Sequence, residues 1–247
     1  MNKTILITGA SSGIGAACVQ IASELNLNVI ATARSQSKLV LLEKKFNNVQ
    51  VIVADIATET GRNIIEQSIK QPLDFLLHSA AILDSPQSLL DLTVADFRNN
   101  IVTNVEPILF LTQKLIPQFK AADQTGRILS ISSGAARHAI AGLGHYCVSK
   151  AAALMANQLL KVEMLTHGVR VNDYFPGMVD TSMQKTLRRS KQEIFPYSDE
   201  FKSLKAENKL AQPLQVAAHI LSVFLQTDDE TFAKNEWLYQ THAVLDS

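Results

Sequence analysis

The run Thr4-Ile-Leu-Ile-Thr8 is short and apolar, and it leads straight into Gly9-Ala-Ser-Ser-Gly-Ile-Gly15 and then a helix-compatible stretch from Ala16 to Leu25. Strand, glycine turn and helix in that order restrict the chain more than any other feature, because glycines let the backbone approach a bulky anion closely. The free amides and dipole of the following helix attract negative charge. A plain strand-to-helix turn does not need three glycines over seven residues. Gly9, Ser11, Ser12, Gly13, Ile14 and Gly15 therefore form a candidate cradle for a nucleotide pyrophosphate.

A second strand, Asn28 to Ala33, ends at Arg34, and Ser35 is placed to cap a helix over Lys38 to Phe46. A carboxylate at this strand end would bind the ribose hydroxyls of NAD. Ala33 and Arg34 stand there instead, which favours NADP(H), since a guanidinium makes paired, charge-assisted hydrogen bonds to phosphate. Ser11, Ser12 or Thr32 can add a hydroxyl.

Further strands are expected over Val49 to Ala54, Leu73 to His78, from Ile128, over Val169 to Phe175 and at Trp237 to Gln240. Helices are expected over Glu59 to Lys70, Asp91 to Asn104, Ile108 to Phe119, from the Tyr146 region to about Thr166, and over Pro213 to Leu225. Alternation in units of ~30 residues predicts an α/β fold, a doubly wound parallel sheet of about seven strands with helices on both faces. Residues 1–247 read as one Rossmann-type domain. The polar segment 178–212 follows a strand's carboxyl end, where a substrate lid would sit, although its basic run of Lys185, Arg188, Arg189 and Lys191 is better explained by a solvated helix face.

Composition removes several classes of partner. A formal net charge of zero gives no electrostatic footprint for nucleic acid or an anionic membrane. No apolar run reaches the ~18 residues of a membrane span, and the apolar stretch near the N-terminus is too short for a signal sequence. Cys18 and Cys147 fall within predicted helices without metal-ligand spacing. These features predict a cytoplasmic protein with no metal, in which the Asn2-Lys3-Thr4 sequon goes unused. The Ile108 helix and the Tyr146 helix carry more apolar surface than one sheet face covers, so a homodimer or homotetramer is expected.

Tyr146 stands four residues before Lys150, and residues four apart share a helix face. A phenol has an unperturbed pKa of ~10, and a neighbouring ammonium lowers it, which makes Tyr146 a usable general acid or base. Thirteen positions upstream, Ser133 ends the Ile128 strand and can present a second hydroxyl to the same substrate oxygen.

Taken together, Thr8-Gly9-x-x-x-Gly13-x-Gly15, Asp55, Asn104, Ser133, Tyr146-x-x-x-Lys150 and Pro176-Gly177 resemble, in order and spacing, the short-chain dehydrogenase/reductase family over essentially the whole chain. The resemblance implies that Tyr146 donates the proton in reduction, Lys150 lowers its pKa and holds the nicotinamide ribose, Ser133 positions the carbonyl, and Asn104 holds a relay water. It also implies cofactor contacts from Asp55, Ile56, Ala80, Pro176, Gly177, Val179 and Thr181. His78-Ser-Ala-Ala81 departs from the family's Asn-Asn-Ala-Gly, leaving that hydrogen bond to Ser79 or lost; His78 itself reads as structural. The last strand lacks the common Asp-Gly-Gly ending.

Within the family, Tyr146-Cys147, Lys150-Ala-Ala and Asn172 to Thr181 most resemble the sepiapterin and benzil reductase groups. The resemblance implies an NADPH-dependent carbonyl reductase for a small ketone, a 1,2-dicarbonyl or a pterin side chain, with Asp246 the one candidate for a C-terminal pterin anchor. A 3-oxoacyl thioester or another ketone is the alternative substrate, and an NADP-sensing scaffold is the non-enzymatic alternative.

Overall fold

The structure is a computed structural model that describes residues 2–120 and 125–239. Seven parallel strands form one sheet in the order β3-β2-β1-β4-β5-β6-β7. They are β1 (Thr4–Thr8), β2 (Asn28–Ala33), β3 (Val49–Val53), β4 (Phe75–His78), β5 (Gly126–Ile131), β6 (Val169–Phe175) and β7 (Trp237–Leu238). The central strands are apolar throughout because helices cover both faces; β1, for example, is buried at every position.

On one face, α1 (Gly13–Glu24), α2 (Gln36–Lys45), α9 (Pro213–Gln226) and α10 (Asp229–Lys234) bury residues such as Cys18, Leu39, Phe224 and Phe232 against Ile5, Ile7 and Leu129. On the other, α3 (Glu59–Ser68), α5 (Glu106–Lys120) and α6 (Gly144–Glu163) bury Ile65, Leu111, Leu115 and Leu160 against Leu6, Leu76 and Ile128. Alternate residues of each strand serve opposite faces, as a pleated strand requires.

The sequence reading locates these elements, with differences at their ends. α4 (Val94–Asn104) starts three residues later than the expected Asp91, because Thr93 supplies the N-cap and accepts from the Asp96 amide at 3.1 Å. α4 and α5 are separated by Val105 alone. Ser35 occupies the N-cap position of α2 but makes no side-chain cap bond there. Gly168 ends the helical region after α6 in the left-handed conformation, at φ 70°. The polar segment 178–212 contains two helices, α7 (Ser182–Arg188), which carries part of the basic run read as a helix face, and α8 (Ser198–Ala206), which has no counterpart in the sequence reading. Its two ends meet, with the Asp180 amide donating to the Ala211 carbonyl and the Ala211 amide to the Met178 carbonyl, both at 2.9 Å. Gln240 and Asp246 lie outside the described residues.

Arg127 ties α9 and α10 to the sheet. Its guanidinium donates to the Phe224 and Thr227 carbonyls, each at 2.8 Å, and pairs with Asp229 at 2.8 Å while only 11% exposed. The helix end left open by its missing ladder partners is thus satisfied by a side chain. Arg127→Ala is expected to lower unfolding free energy by about 1.5–3 kcal/mol in urea denaturation, the worth of hydrogen bonds to a charged group. A change below about 0.5 kcal/mol would show that water caps α9 equally well.

Candidate active site

Among the described residues, those singled out for the site lie at or just beyond the carboxyl end of a strand, or on the helix that follows. This edge, where the sheet order reverses between β1 and β4, is where open α/β sheets leave a crevice. The glycine turn shapes one end of it. Gly9 has φ 66°, and a Cβ there would stand 2.7 Å from the Ala80 Cα; one on Gly15 would stand 2.4 Å from the Gly9 carbonyl oxygen. Neither position accepts a side chain, so the turn folds flat against the loop after β4. The Thr8 hydroxyl holds that loop by accepting from the Ser79 and Ala80 amides, both at 3.1 Å. The end of β1 is thus tied to the loop after β4 through backbone amides.

Beyond the turn opens a cleft of about 680 Å³ lined by Ser12, Gly13, Lys38, Thr181, Lys185 and Arg189, among others. Asp180 is its one acidic lining residue, and it is paired with Arg188 at 3.3 Å and Lys205 at 2.5 Å, which hold its carboxyl below the usual carboxylate range. The basic run of α7 thus faces a cleft, where the sequence alone favoured a solvated face. Spacing of Lys185, Arg188 and Arg189 at three and four residues was the signal that they share one side of a helix. Lys38, absent from the sequence reading of the site, joins them from α2. Arg34 is exposed immediately after β2. Asp55 turns its carboxylate back to the Ala57 amide at 3.0 Å, and the carbonyl of buried Ile56 accepts from Arg62 at 2.8 Å. This concave, cationic surface with amide-bearing turns fits a dinucleotide: the Gly9–Gly15 turn suits the pyrophosphate, and Arg34 with Lys38 the adenosine end.

The second half of the site is built on α6. Tyr146 and Lys150 share a face, with the ammonium 5.9 Å from the phenol ring centre. Lys150 is 5% exposed and donates to the Ile131 carbonyl at 2.8 Å. Ser133, two residues further along that chain, accepts from the Ala135 amide at 3.2 Å, leaving its proton free to donate, and lies close enough to the Tyr146 phenol to oppose the rise of its pKa. Neighbouring Ser132 is buried. Asn104 is the pin behind them. Its side-chain amide donates to the Ile82 carbonyl at 3.0 Å and to the Ser149 hydroxyl at 2.9 Å, its carbonyl accepts from the Ile82 amide at 2.8 Å, and Ser149 donates to the Tyr146 carbonyl at 2.9 Å. At the α4–α5 break the Ile108 amide, which would bond the Asn104 main-chain carbonyl in a continuous helix, bonds Val105 instead at 3.1 Å. Pro176 and Gly177 turn the chain out of β6, Gly177 at φ 65°; Val179 bridges to Ala211, and Thr181 caps α7.

One electrostatic expectation is corrected. On balance the phenol is not brought down: burial pushes Tyr146 up to about 12, and the Ser133 hydroxyl opposes this only in part. The same burial pulls Lys150 down to about 8, with Asp173 resisting. Low dielectric disfavours both charges at once, so the phenol is held as an O–H at neutral pH. His78 is structural, as expected: burial drops it to about 3, and its Nε2 lies 3.0 Å from the Thr112 hydroxyl.

Around the phenol is an apolar cluster. Ala135, Leu143 and Cys147 meet Leu187 of α7, Phe201 of α8 and fully buried Phe195 between those two helices. Gly142 at φ 82° makes this contact possible, since a Cβ there would stand 2.3 Å from the Ile194 carbonyl oxygen. Two hydroxyl donors therefore converge beneath an aromatic roof, next to a cationic dinucleotide cleft: an arrangement able to donate a proton to a carbonyl oxygen as it gains negative charge.

Comparison with known proteins agrees with this geometry. Residues 3–192 match the family described as short chain dehydrogenase, and the chain belongs to that family. Its members are oxidoreductases acting on carbonyl and alcohol groups with nicotinamide cofactors. Benzil reductase ((S)-benzoin forming) of Bacillus cereus is 29% identical over 92% of this chain and 95% of its own. The 3-oxoacyl-[acyl-carrier-protein] reductase of Rickettsia conorii is 32% identical over 77% of this chain and 78% of its own. A short-chain dehydrogenase/reductase of Saccharomyces cerevisiae superposes with a TM-score of 0.83 at 25% identity, over 96% of this chain and 95% of its own.

Tyr146→Phe removes one proton and little volume. Turnover is expected to fall by ~10²–10⁴-fold with affinity for the nicotinamide cofactor unchanged, and Ser133→Ala to fall by less. A Tyr146→Phe enzyme retaining more than about a tenth of wild-type rate would remove the phenol from the chemistry.

Proposed function

We propose that the chain is an NADPH-dependent carbonyl reductase whose substrate is a ketone flanked by apolar or aromatic groups, a 1,2-dicarbonyl above all. The observation that carries this reading is the aromatic roof: the Tyr146 phenol is kept protonated by burial and packs in the cluster that contains Phe195, Phe201 and Leu187. Aryl groups on both sides of a carbonyl placed against this cluster would extend its apolar packing, and a charge there would be penalised. Similarity along nearly the full chain to a reductase named for benzil supports the same class.

When bound, the nicotinamide supplies the hydride. Ser133 and Tyr146 both donate to the carbonyl oxygen, and Tyr146 gives up its proton as that oxygen becomes anionic. The nearby Lys150 ammonium stabilises the phenolate that this transfer leaves. The Asn104 main-chain carbonyl, released from the helix ladder, is the place for a water that returns a proton toward Lys150. Segment 178–212 acts as the lid of a single domain, carrying apolar residues toward the substrate and Lys185 and Arg189 toward the cofactor phosphates. The cationic rim, together with similarity to 3-oxoacyl-[acyl-carrier-protein] reductases, supports a thioester ketone as the second reading.

Arg34 and Lys38 select NADP(H) through the phosphate on the adenosine ribose. The cytoplasm is the proposed compartment, in keeping with free Cys18 and Cys147; among the described residues no helix is long and apolar enough to cross a membrane. A second copy of the chain is the proposed partner. α6 leaves Val148, Met155, Leu159 and Val162 exposed at helical spacing, and α5 adds Phe110.

The deciding experiment follows nicotinamide absorbance with a panel of benzil-type diketones, pterins and 3-oxoacyl thioesters. The diketones are expected to turn over fastest; faster turnover of thioesters would install the second reading. In the same assay format, Arg34→Ala is expected to weaken NADPH binding about ten- to hundredfold and leave NADH nearly unchanged, one lost charged hydrogen bond being worth ~1.5–3 kcal/mol. Equal weakening of both cofactors would sink the phosphate role. Light scattering at micromolar concentration is expected to give a dimer or tetramer mass, and a monomer mass would mean that the α6 surface has no second copy to cover it.

A further inference from the structure

Beneath α6 the apolar face of the sheet gives way, at one level, to a polar row. β4, β5 and β6 pair His78 with Ser130 and Ser130 with Asp173, in register across three strands. The residues two places earlier, Leu76, Ile128 and Val171, all belong to the apolar core on this face. Side chains two apart on a strand point to the same side, so the row continues that face toward the site. Ser130 donates to Asn157 Oδ1 of α6 at 2.9 Å, and the same Asn157 lies close enough to the Asp173 carboxylate to oppose the rise of its pKa. Lys150, Asn157 and Lys161 follow one another on α6 at steps of seven and four residues, a single helix face. The Lys150 ammonium is anchored on Ile131, the residue directly after Ser130. Asp173, only 8% exposed, is thus a carboxylate built into the floor under a lysine that is itself buried.

A carboxylate at that depth is unfavourable unless a cation faces it. From α6 the cations are Lys150 and Lys161, and from the turn after β5 it is Arg137; His78 on β4 is neutral. Arg137 is engaged elsewhere, stacked 4.1 Å from the Phe175 ring centre and paired with Glu236, and Lys161 reaches Asn172 Oδ1 at 3.4 Å. The hydrogen-bond partner of Lys150 is a neutral carbonyl, which leaves its charge to be balanced through space. Resting on the reading of Lys150 as the charge beneath the Tyr146 phenol, we propose that Asp173 is a positioning residue: its carboxylate is the buried counter-charge that keeps the Lys150 side chain an ammonium and fixes it against Ile131.

The sign of the effect follows from burial. Burial drives Lys150 down, to about 8 even with Asp173 opposing that shift. Burial drives Asp173 up, to about 6, while Asn157, Lys161, Lys150 and Arg137 oppose it. Between these two values both groups are charged. Removing the carboxylate lets Lys150 lose its proton at lower pH, so activity that needs the ammonium is lost earlier on the alkaline side.

The test is an NMR titration of the Lys150 side chain in isotope-labelled protein, wild type against Asp173→Asn, with the pH profile of kcat/KM alongside. The Lys150 midpoint is expected to fall by about half a pH unit or more in the variant, and the alkaline limb of the profile to move by the same amount. An unchanged midpoint in a folded variant, or a rate loss equal at every pH, would reduce Asp173 to a structural role. Wild type alone supplies a second reading should the variant not fold: the Lys150 resonances are expected to step as Asp173 ionises near pH 6, and a flat response there would overturn the pairing. The titration uses neither cofactor nor ketone, so failure of the reductase reading would appear in the substrate panel and leave this result to stand by itself.

Discussion

The hydrogen bond from the Lys150 ammonium to the Ile131 carbonyl joins the helix that carries the phenol to the strand that leads to the serine. A lysine four residues beyond Tyr146 reaches a main-chain oxygen two residues before Ser133, so one 2.8 Å contact sets helix and strand at a separation where the two hydroxyls meet. Asn104 fixes the same helix from its other side through Ser149 and the Tyr146 carbonyl. Substrate geometry depends on these buried contacts, because hydroxyl donors placed on rigid elements act on a developing charge without reorganising first.

Burial carries the electrostatics. A phenol beside an ammonium in water would be the better acid, yet here the medium disfavours the charged form of both, and the donor stays protonated until a reaction delivers negative charge to its neighbourhood. The low dielectric of the site therefore keeps the phenol proton in place at neutral pH. Polar side chains in the floor under α6 find partners there, His78 with Thr112 and Ser130 with Asn157.

Segment 178–212 joins the two halves. Its helices bring apolar residues over the phenol and basic residues into the dinucleotide cleft, and Asp180 binds the two helices together through Arg188 of α7 and Lys205 of α8. A chain whose net charge is zero thus concentrates cations in one concave place, where low-dielectric walls strengthen their field.

By itself the sequence determined the strand and helix order, the glycine turn and the Tyr146–Lys150 helix, since these rest on periodicity, backbone freedom at glycine and spacing along one helix, all of which are local. It also determined the family, because Asn104, Ser133 and the glycines recur in a spacing that few chains share. Only the tertiary structure decided which way the phenol's acidity moves, that the Lys185, Arg188 and Arg189 face lines a cleft, and that Lys38 joins it from another helix. The same holds for the row His78, Ser130 and Asp173, whose members are separated by more than forty residues at each step and meet only through strand register. Burial and charge pairing are properties of the assembled chain: they depend on distances between elements that no local pattern records.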